Sequence, residues 1–245
     1  MSEPKRRGGK FRKSSSITME YLSGLRGIAR EVGRIASTYD PHLSDSAARI
    51  RATLRHYSEI LLPWAQVNAR KVALALNHQD RKTWAKAAKE MSVALKEELD
   101  TAPVGTELQR FLSDNVQLIT SLPLDAADRV HALTMRGLTS GERQEFIKEE
   151  ILRTGEVTKS RAETIARTET SRTANALVQI RSQEIGVTHY VWRTAKDADV
   201  RPSHKRMEGR VVAFDKPPTL DGMTGHAGMF PNCRCYIEPI VPDLD

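Results

Sequence analysis

The chain has 245 residues, of which 39% are hydrophobic and 28% charged, and its formal net charge is +7. This length and apolar fraction suffice for one or two domains with a buried core, which excludes a wholly disordered protein. No apolar run approaches the roughly 18 residues that a transmembrane helix requires, and the opening MSEPKRRGGK lacks the apolar part of a signal peptide. A cytoplasmic location is therefore expected. The positive charge favours an anionic partner, of which the phosphate backbone is the commonest.

A basic segment opens the chain. Residues 1–17 contain cations interrupted by glycines and followed by serines, a composition that cannot bury enough apolar surface to order itself. Two interpretations stay open, a solvated disordered tail or a flexible arm that binds DNA or RNA phosphates by counterion release without base specificity. The basic residues of the segment are Lys5, Arg6, Arg7, Lys10, Arg12 and Lys13.

From residue 18 to residue 157 the apolar residues recur at helical spacing, so this range is predicted to form a helical domain. Pro123 is predicted to end one helix, and Gly155 to cap the C-terminus of another. Trp64 and Trp84 lie on apolar helical faces and are predicted core residues. The predicted helices begin at Ser16 or Thr18, at Ser44 or Asp45, at Pro63, at Asp80 as an N-cap, at Thr106, at Asp125 and at Ser140.

The longest predicted helix runs from Thr158 to Gly186 and contains the polar stretch RAETIARTETSRTANAL. Arg167, Glu169, Arg172 and Asn175 share neighbouring faces at three- and four-residue spacing. This pattern is consistent with a solvated face that carries local ion pairs. It is equally consistent with a helix whose polar residues dock onto the module that follows and satisfy its buried loop groups.

After Gly186 the spacing changes from helical to alternating, which predicts strands at residues 188–193, 210–214 and 234–238. Three short strands need a covering helix, and the preceding long helix is the candidate. The expected fold class is mainly α with a small C-terminal α+β module, in which a helical N-terminal region precedes a short three-stranded sheet packed on a long helix. The expected division is a basic arm at 1–17, a helical domain at 18–157 and a C-terminal module at 158–245.

Polar and thiol chemistry is concentrated between Trp192 and Cys235. His204, Cys233 and Cys235 are ligands of the zinc-preferring type, with Asp197 or His226 as a fourth, so zinc is the candidate cofactor. The two cysteines are too close in sequence for an unstrained disulfide. Against a metal, structural zinc sites usually place two or more residues between paired cysteines.

Two other interpretations of the same residues stay open. In the first, the thiols face opposite sides of a strand, and His204 and Asp197 bond to loop backbone. In the second, Asp197, His204 and Cys233 form a catalytic set in which a carboxylate holds a histidine beside a thiolate. No phosphate loop, dinucleotide fingerprint or paired-carboxylate motif accompanies them.

The C-terminal third also carries many fixed positions in a fixed order. They are Ala166-Arg167-Thr168-Glu169, Asn175, Tyr190, Trp192, Thr194, Asp197, Val200-Arg201, His204, Gly209 and Cys233-Arg234-Cys235. This order resembles the phage head morphogenesis family, the minor head proteins named after the F protein of phage Mu. The resemblance covers roughly residues 158–240.

The resemblance implies a structural minor capsid protein that acts in procapsid assembly next to the portal. The implied partners are the portal protein, the major capsid protein and non-specific DNA. The implied location is the phage head interior, with assembly in the host cytoplasm. Alternatives are a metal-dependent hydrolase or toxin-like enzyme carried in the C-terminal module, and a nucleic-acid-binding protein unconnected with capsids.

Overall fold

The structure is a computed structural model that describes residues 11–39, 45–87, 93–140 and 142–241. Its helices are α1 Ser15–Thr38, α2 Ser46–Ile60, α3 Leu62–Ala87, α4 Val93–Thr101, α5 Gly105–Ser140, α6 Gln144–Leu152, α7 Thr154–Glu184 and α8 Pro202–Lys205. Its strands are β1 His189–Arg193, β2 Val211–Ala213, β3 Thr219–Leu220, β4 Met223–Thr224 and β5 Tyr236–Pro239. The described helices include none that is both long and apolar enough to cross a membrane.

The described residues divide into two compact units, each built from separate stretches of chain. The sheet unit comprises Met1–Thr18, Lys71–Phe111 and Arg167–Asp245, and the helical unit comprises Met19–Arg70 and Leu112–Ala166. Each unit joins stretches that pack together in space, although they are separated in the sequence. The linear division at residues 17/18 and 157/158 therefore stays a prediction.

The helical unit is held together by apolar faces whose spacing is the one predicted from the sequence. Leu25 and Val32 of α1, Leu54 of α2, and Ile119 and Val130 of α5 are completely excluded from solvent. Burying a side chain of this size contributes about 1.5–3 kcal/mol. These faces therefore supply most of the stabilisation of the unit.

Polar contacts fix how the helices of this unit are arranged. The Tyr21 hydroxyl on α1 donates to Asn115 Oδ1 on α5 at 2.7 Å. The Ser58 hydroxyl on α2 donates to the Thr120 carbonyl on α5, also at 2.7 Å. Both partners on α5 lie on the side of the helix that the apolar residues bury.

Gly155 has a packing role that differs from the predicted one. It lies in the first turn of α7, which begins at Thr154, so its prediction as a helix C-cap is wrong. A Cβ at Gly155 would lie 2.7 Å from the Gly33 Cα on α1. The glycine is there because the two helix backbones approach too closely for a side chain.

Two predicted helix boundaries are also wrong. Helix α3 continues through Asp80 to Ala87, and helix α5 continues through Pro123 to Ser140. A proline inside a helix costs about 3 kcal/mol. That cost is offset because Leu122, Ala126 and Val130 form one continuous buried face across it. Asp80 does not cap a helix, because its carboxylate pairs with Arg181.

The sheet unit contains an antiparallel sheet with strand order β2-β1-β5. The strands lie within a residue or two of the predicted ranges, and Tyr190 of β1 pairs with Val212 of β2 and Pro239 of β5. Within the described chain, this confirms the mainly helical fold with a small C-terminal α+β module. The sheet core includes Val178 of α7, so the long helix covers the sheet as predicted.

The two tryptophans that were predicted to be core residues differ in how far they are buried. Trp84 is 1% exposed in the sheet unit, where its ring lies 4.9 Å from that of Phe11. Trp64 in the helical unit is only half-buried. Its ring lies against Gly24 of α1, where an added Cβ would approach it to 3.1 Å.

Candidate metal centre

His204, Cys233 and Cys235 converge in the sheet unit. Helix α8, which opens with Pro202, carries His204, and both cysteines immediately precede β5. His204 Nδ1 lies 3.4 Å from Cys233 Sγ and 3.5 Å from Cys235 Sγ. The ligand atoms of the three residues all lie within 4.8 Å of one another. His204 is 2% exposed, Cys233 5% and Cys235 2%, so the cluster is closed to solvent.

The interpretation in which the two thiols face opposite sides of a strand is wrong. Strand β5 begins only at Tyr236, so strand alternation does not apply to the cysteines. Asn232 adopts a left-handed φ of 54°, which asparagine tolerates better than most residues, and this turns the chain just before Cys233. The Cys233 N–H then donates to the Phe230 carbonyl at 3.0 Å. The turn directs both thiols to the same histidine.

Aromatic rings enclose the cluster. The His204 ring lies edge-on to Trp192, with centroids 5.6 Å apart, and edge-on to Phe230 at 4.8 Å. Trp192 and Phe230 are themselves almost completely buried. These rings lower the local polarity, which strengthens any interaction between the thiols and a charge.

The two thiols differ in acidity because they share a hydrogen bond. The bond donated by the Cys235 thiol holds the pKa of Cys233 well below its usual range, while burial opposes the shift and His204 assists it. The same bond, together with burial, raises the pKa of Cys235 above its usual range. The Cys235 N–H also donates to Cys233 Sγ at 3.4 Å. Cys233 is therefore the more acidic of the two thiols.

Asp197, a predicted fourth ligand and the predicted carboxylate partner of His204, lies outside the cluster. Its Oδ1 accepts a hydrogen bond from Arg234 at 2.8 Å, and Arg234 also pairs with Asp199 at 2.8 Å. The strong attraction between the guanidinium and the two carboxylates accounts for this placement. The catalytic set of Asp197, His204 and Cys233 is therefore not assembled.

His226, the other candidate for a fourth ligand, has different partners. Its Nδ1 lies 3.2 Å from the Tyr190 hydroxyl, and its ring lies edge-on to Tyr190 and Phe214. Burial lowers the pKa of His226, although a hydrogen bond with the Phe214 backbone opposes that shift. It acts as a core residue next to β1.

Asp221 was not among the residues predicted to form the site. It is the first residue of the turn between β3 and β4, where φ is 53° at Asp221 and 77° at Gly222. Two successive positive φ values define the type I′ hairpin turn that Asp-Gly favours. The Asp-Gly pair was the signal available in the sequence. The turn places Asp221 Oδ2 3.9 Å from His204 Nε2 and 2.8 Å from the Ser203 hydroxyl.

The polar residues of α7 dock onto the loop that carries the cysteines. Asn175 Oδ1 accepts from the Ile237 N–H at 2.8 Å, and Thr168 Oγ1 accepts from the Asn232 N–H at 2.9 Å. Arg172 donates to the Met229 carbonyl at 2.8 Å and pairs with Glu169, which is 6% exposed. Of the two interpretations of this helix, docking is confirmed and the solvated face is wrong.

Other residues of the motif also support the loop backbone. Arg201 donates to the Pro231 carbonyl at 2.8 Å. Gly209 has a φ of 78° and its N–H donates to the Trp192 carbonyl at 2.9 Å, which closes the turn before β2. Arg167 is exposed. Most of the motif is therefore architectural within the sheet unit.

Two of the six basic residues of the predicted arm, Arg12 and Lys13, lie in the described chain. Lys5, Arg6, Arg7 and Lys10 lie outside the described residues. Arg12 is exposed, but Phe11 packs on Trp84, and Lys13 Nζ donates to Thr18 at 2.9 Å and Thr170 at 2.6 Å. Burial lowers the pKa of Lys13 to about 8, and the negative charge of Cys233 opposes that shift. Lys13 belongs to the sheet unit because its hydrogen bonds lie there.

The fold and the site thus define a class of protein. Its members are mainly helical, and their polar motif points inward and holds together a small closed module. Residues 128–238 match the family model described as Phage Mu protein F like protein. Over this segment, the resemblance inferred from the motif to the family named after the F protein of phage Mu is confirmed. A protein of Haemophilus influenzae described as uncharacterized is 31% identical over 168 residues, which are 68% of this chain and 36% of that protein. The chain therefore spans just over a third of the length of that relative. No solved structure matches the chain.

Proposed function

We propose that this chain is a minor head component of a tailed phage or prophage and acts in procapsid assembly next to the portal. The observation that carries the proposal is the family match over residues 128–238. The partners are the portal protein and the major capsid protein. The location is the interior of the phage head, with assembly in the host cytoplasm.

The geometry of the motif supports a structural use over a catalytic one. Catalysis by a cysteine requires a thiolate that substrate can reach and a histidine held by a hydrogen-bonded partner. Here the most exposed member of the cluster is Cys233 at 5%, and the nearest carboxylate atom to His204 Nε2 lies 3.9 Å away. The polar side chains of α7 form hydrogen bonds with the loop backbone, as Asn175, Thr168 and Arg172 show. A module of this kind presents a rigid surface to a partner.

Particle composition tests this function. In the phage that encodes the chain, an amber codon in its gene is expected to abolish infectious particles while the major capsid protein still accumulates. Mass spectrometry of purified wild-type heads should find the chain, and affinity purification of the tagged chain from infected cells should recover the portal protein. A plasmid copy of the wild-type gene is the control and should restore infectivity. Normal titres from the amber mutant, with the chain absent from wild-type heads, would contradict the proposal.

The basic segment is proposed to bind packaged DNA. Removal of residues 2–10 deletes Lys5, Arg6, Arg7 and Lys10, and should weaken DNA binding equally for unrelated sequences. If all four contact phosphate, the slope of log affinity against log salt falls by up to about 3.6, because each contact contributes about 0.9. Fluorescence anisotropy with labelled duplexes over a salt series measures the slope.

The matched control for this truncation removes the same number of cations from exposed helical positions. It replaces Arg30, Arg70, Lys82 and Lys96 with glutamine. Cations close together in the sequence can contact successive phosphates, whereas cations scattered over helices contact them one at a time, so the control should change the slope less. An equal or larger change in the control would show that the opening segment is not the basis of binding.

A further inference from the structure

The spacing of the thiol-histidine cluster is that of a coordination shell. In tetrahedral zinc sites the Zn–S bond is about 2.3 Å and the Zn–N bond about 2.0–2.1 Å, which places a sulfur and a nitrogen ligand about 3.6 Å apart. The two Nδ1–Sγ distances of 3.4 and 3.5 Å are within 0.2 Å of that value. A metal ion could be accepted with only small shifts of the three side chains.

The surroundings of His204 point to the same use. A histidine that binds metal commonly donates its other ring N–H to a carboxylate, which fixes the tautomer and the ring orientation. His204 Nε2 is buried without a hydrogen-bond partner among the described residues, and Asp221 Oδ2 lies 3.9 Å away on that side. The Ser203 hydroxyl holds the Asp221 carboxylate at 2.8 Å. With Nε2 on the side of Asp221, Nδ1 is directed at both sulfurs.

The charge and softness of the ligands select the metal. Thiolate and imidazole ligands in a tetrahedral arrangement favour zinc over magnesium or calcium, which prefer oxygen. Two thiolates would neutralise a divalent cation, so the loaded site carries no net charge into its aromatic surroundings. The Cys235 N–H that points at Cys233 Sγ would remain as a donor to the metal-bound thiolate.

We propose that His204 Nδ1, Cys233 Sγ and Cys235 Sγ bind one zinc ion in the sheet unit. In the described chain no further histidine, cysteine or carboxylate joins this group. When the ion binds, the cysteine thiols lose their protons to solvent and both sulfurs coordinate as thiolates. The ion ties α8 to the segment that leads into β5 and stabilises the long loop between them.

Metal analysis of the purified full-length chain tests the site. Inductively coupled plasma mass spectrometry should find one zinc ion per chain in protein made in zinc-supplemented medium. Replacement of zinc by Co²⁺ should produce a thiolate-to-cobalt charge-transfer band and the intense visible absorption of a tetrahedral complex. Since the chain has two cysteines, any such band reports Cys233 and Cys235.

Matched histidine variants assign the remaining ligand. His204→Gln should lose the bound zinc, whereas His226→Gln, which changes another buried histidine of the same unit, should keep it. Asp221→Asn should bind zinc about 10–100-fold more weakly, because it removes the carboxylate facing Nε2. Circular dichroism checks that each variant is folded.

Chelation of the wild-type protein gives a measurement that does not depend on whether a variant folds. Removing zinc should lower the midpoint of thermal unfolding, and adding zinc back should restore it. Folded wild-type protein without zinc and without a cobalt–thiolate band would overturn the proposal. Equal loss of zinc in the His204 and His226 variants would also overturn it. The family assignment and the head-assembly proposal would survive either result, since neither rests on a metal.

Discussion

Replacing Asp80 with alanine is expected to lower the free energy of unfolding by about 3–5 kcal/mol, because it leaves the Arg181 charge buried without its partner. Arg181 and Asp80 form an ion pair in the sheet unit, where their side chains are 2% and 5% exposed. Arg181 also donates to the Leu99 carbonyl at 3.2 Å and to Asn77 Oδ1 at 2.9 Å. These neutral acceptors hold the guanidinium in place, but they do not compensate its charge. Urea unfolding followed by tryptophan fluorescence measures the change, since Trp84 lies in the same unit.

An exposed ion pair of the same unit provides the matched control. Arg81 donates to Asp100 at 2.9 Å, with side chains 52% and 64% exposed. Asp100→Ala should change the free energy of unfolding by no more than about 1 kcal/mol, because water screens that pair. The double variant Asp80→Leu with Arg181→Met should recover most of the loss. Equal effects of Asp80→Ala and Asp100→Ala would show that the buried pair contributes no more than a surface one.

Replacing Gly228 with alanine is expected to destabilise the sheet unit by about 3–5 kcal/mol, from backbone strain together with displacement of a buried amide. Gly228 has a φ of 83°, and a Cβ there would lie 2.0 Å from Asn175 Nδ2. Asn175 cannot move without cost, because its amide donates to the Ser171 carbonyl and accepts from the Ile237 N–H, each at 2.8 Å. The bond to Ser171 fixes the amide on α7, and the bond from Ile237 holds the start of β5 against that helix.

Gly209→Ala separates the two contributions. Gly209 has a φ of 78°, close to that of Gly228, but an added Cβ there would meet no atom within 4 Å. This variant should cost only about 1–2 kcal/mol, the strain of a left-handed residue alone. Thermal and urea unfolding of both variants measures the difference. Similar losses would mean that the close contact between Gly228 and Asn175 has little energetic importance.

Local sequence patterns anticipated much of the sheet unit. Strand β1 consists largely of aromatic and β-branched residues, which are typical of strands, and Tyr190, Val191 and Trp192 are all buried. The order of fixed positions from Arg167 to Cys235 was sufficient to indicate the family. The Asp221-Gly222 pair could have indicated the second hairpin, because its turn type depends on those two residues alone.

The helix ends were less predictable, because distant contacts decide them. Aspartate is a residue type that often caps a helix N-terminus. The Asp80 carboxylate instead pairs with Arg181, which is 101 positions away, and α3 continues through it. Proline usually ends a helix, yet α5 continues through Pro123 because the residues on either side of it form a buried apolar face. Gly155 resembles a C-cap, and only the approach of α1 explains it.

The sequence by itself determined the helical and strand periods, the fold class and the residue types available to bind a metal. The tertiary structure decided which of those residues meet. His204 and the two cysteines converge because α8 and the turn at Asn232 bring together segments 29 and 31 positions apart. Asp197, the carboxylate that was predicted to join them, is hydrogen-bonded to Arg234 instead. A pattern of neighbouring residues records the conformation of one segment, whereas a site depends on how several segments pack.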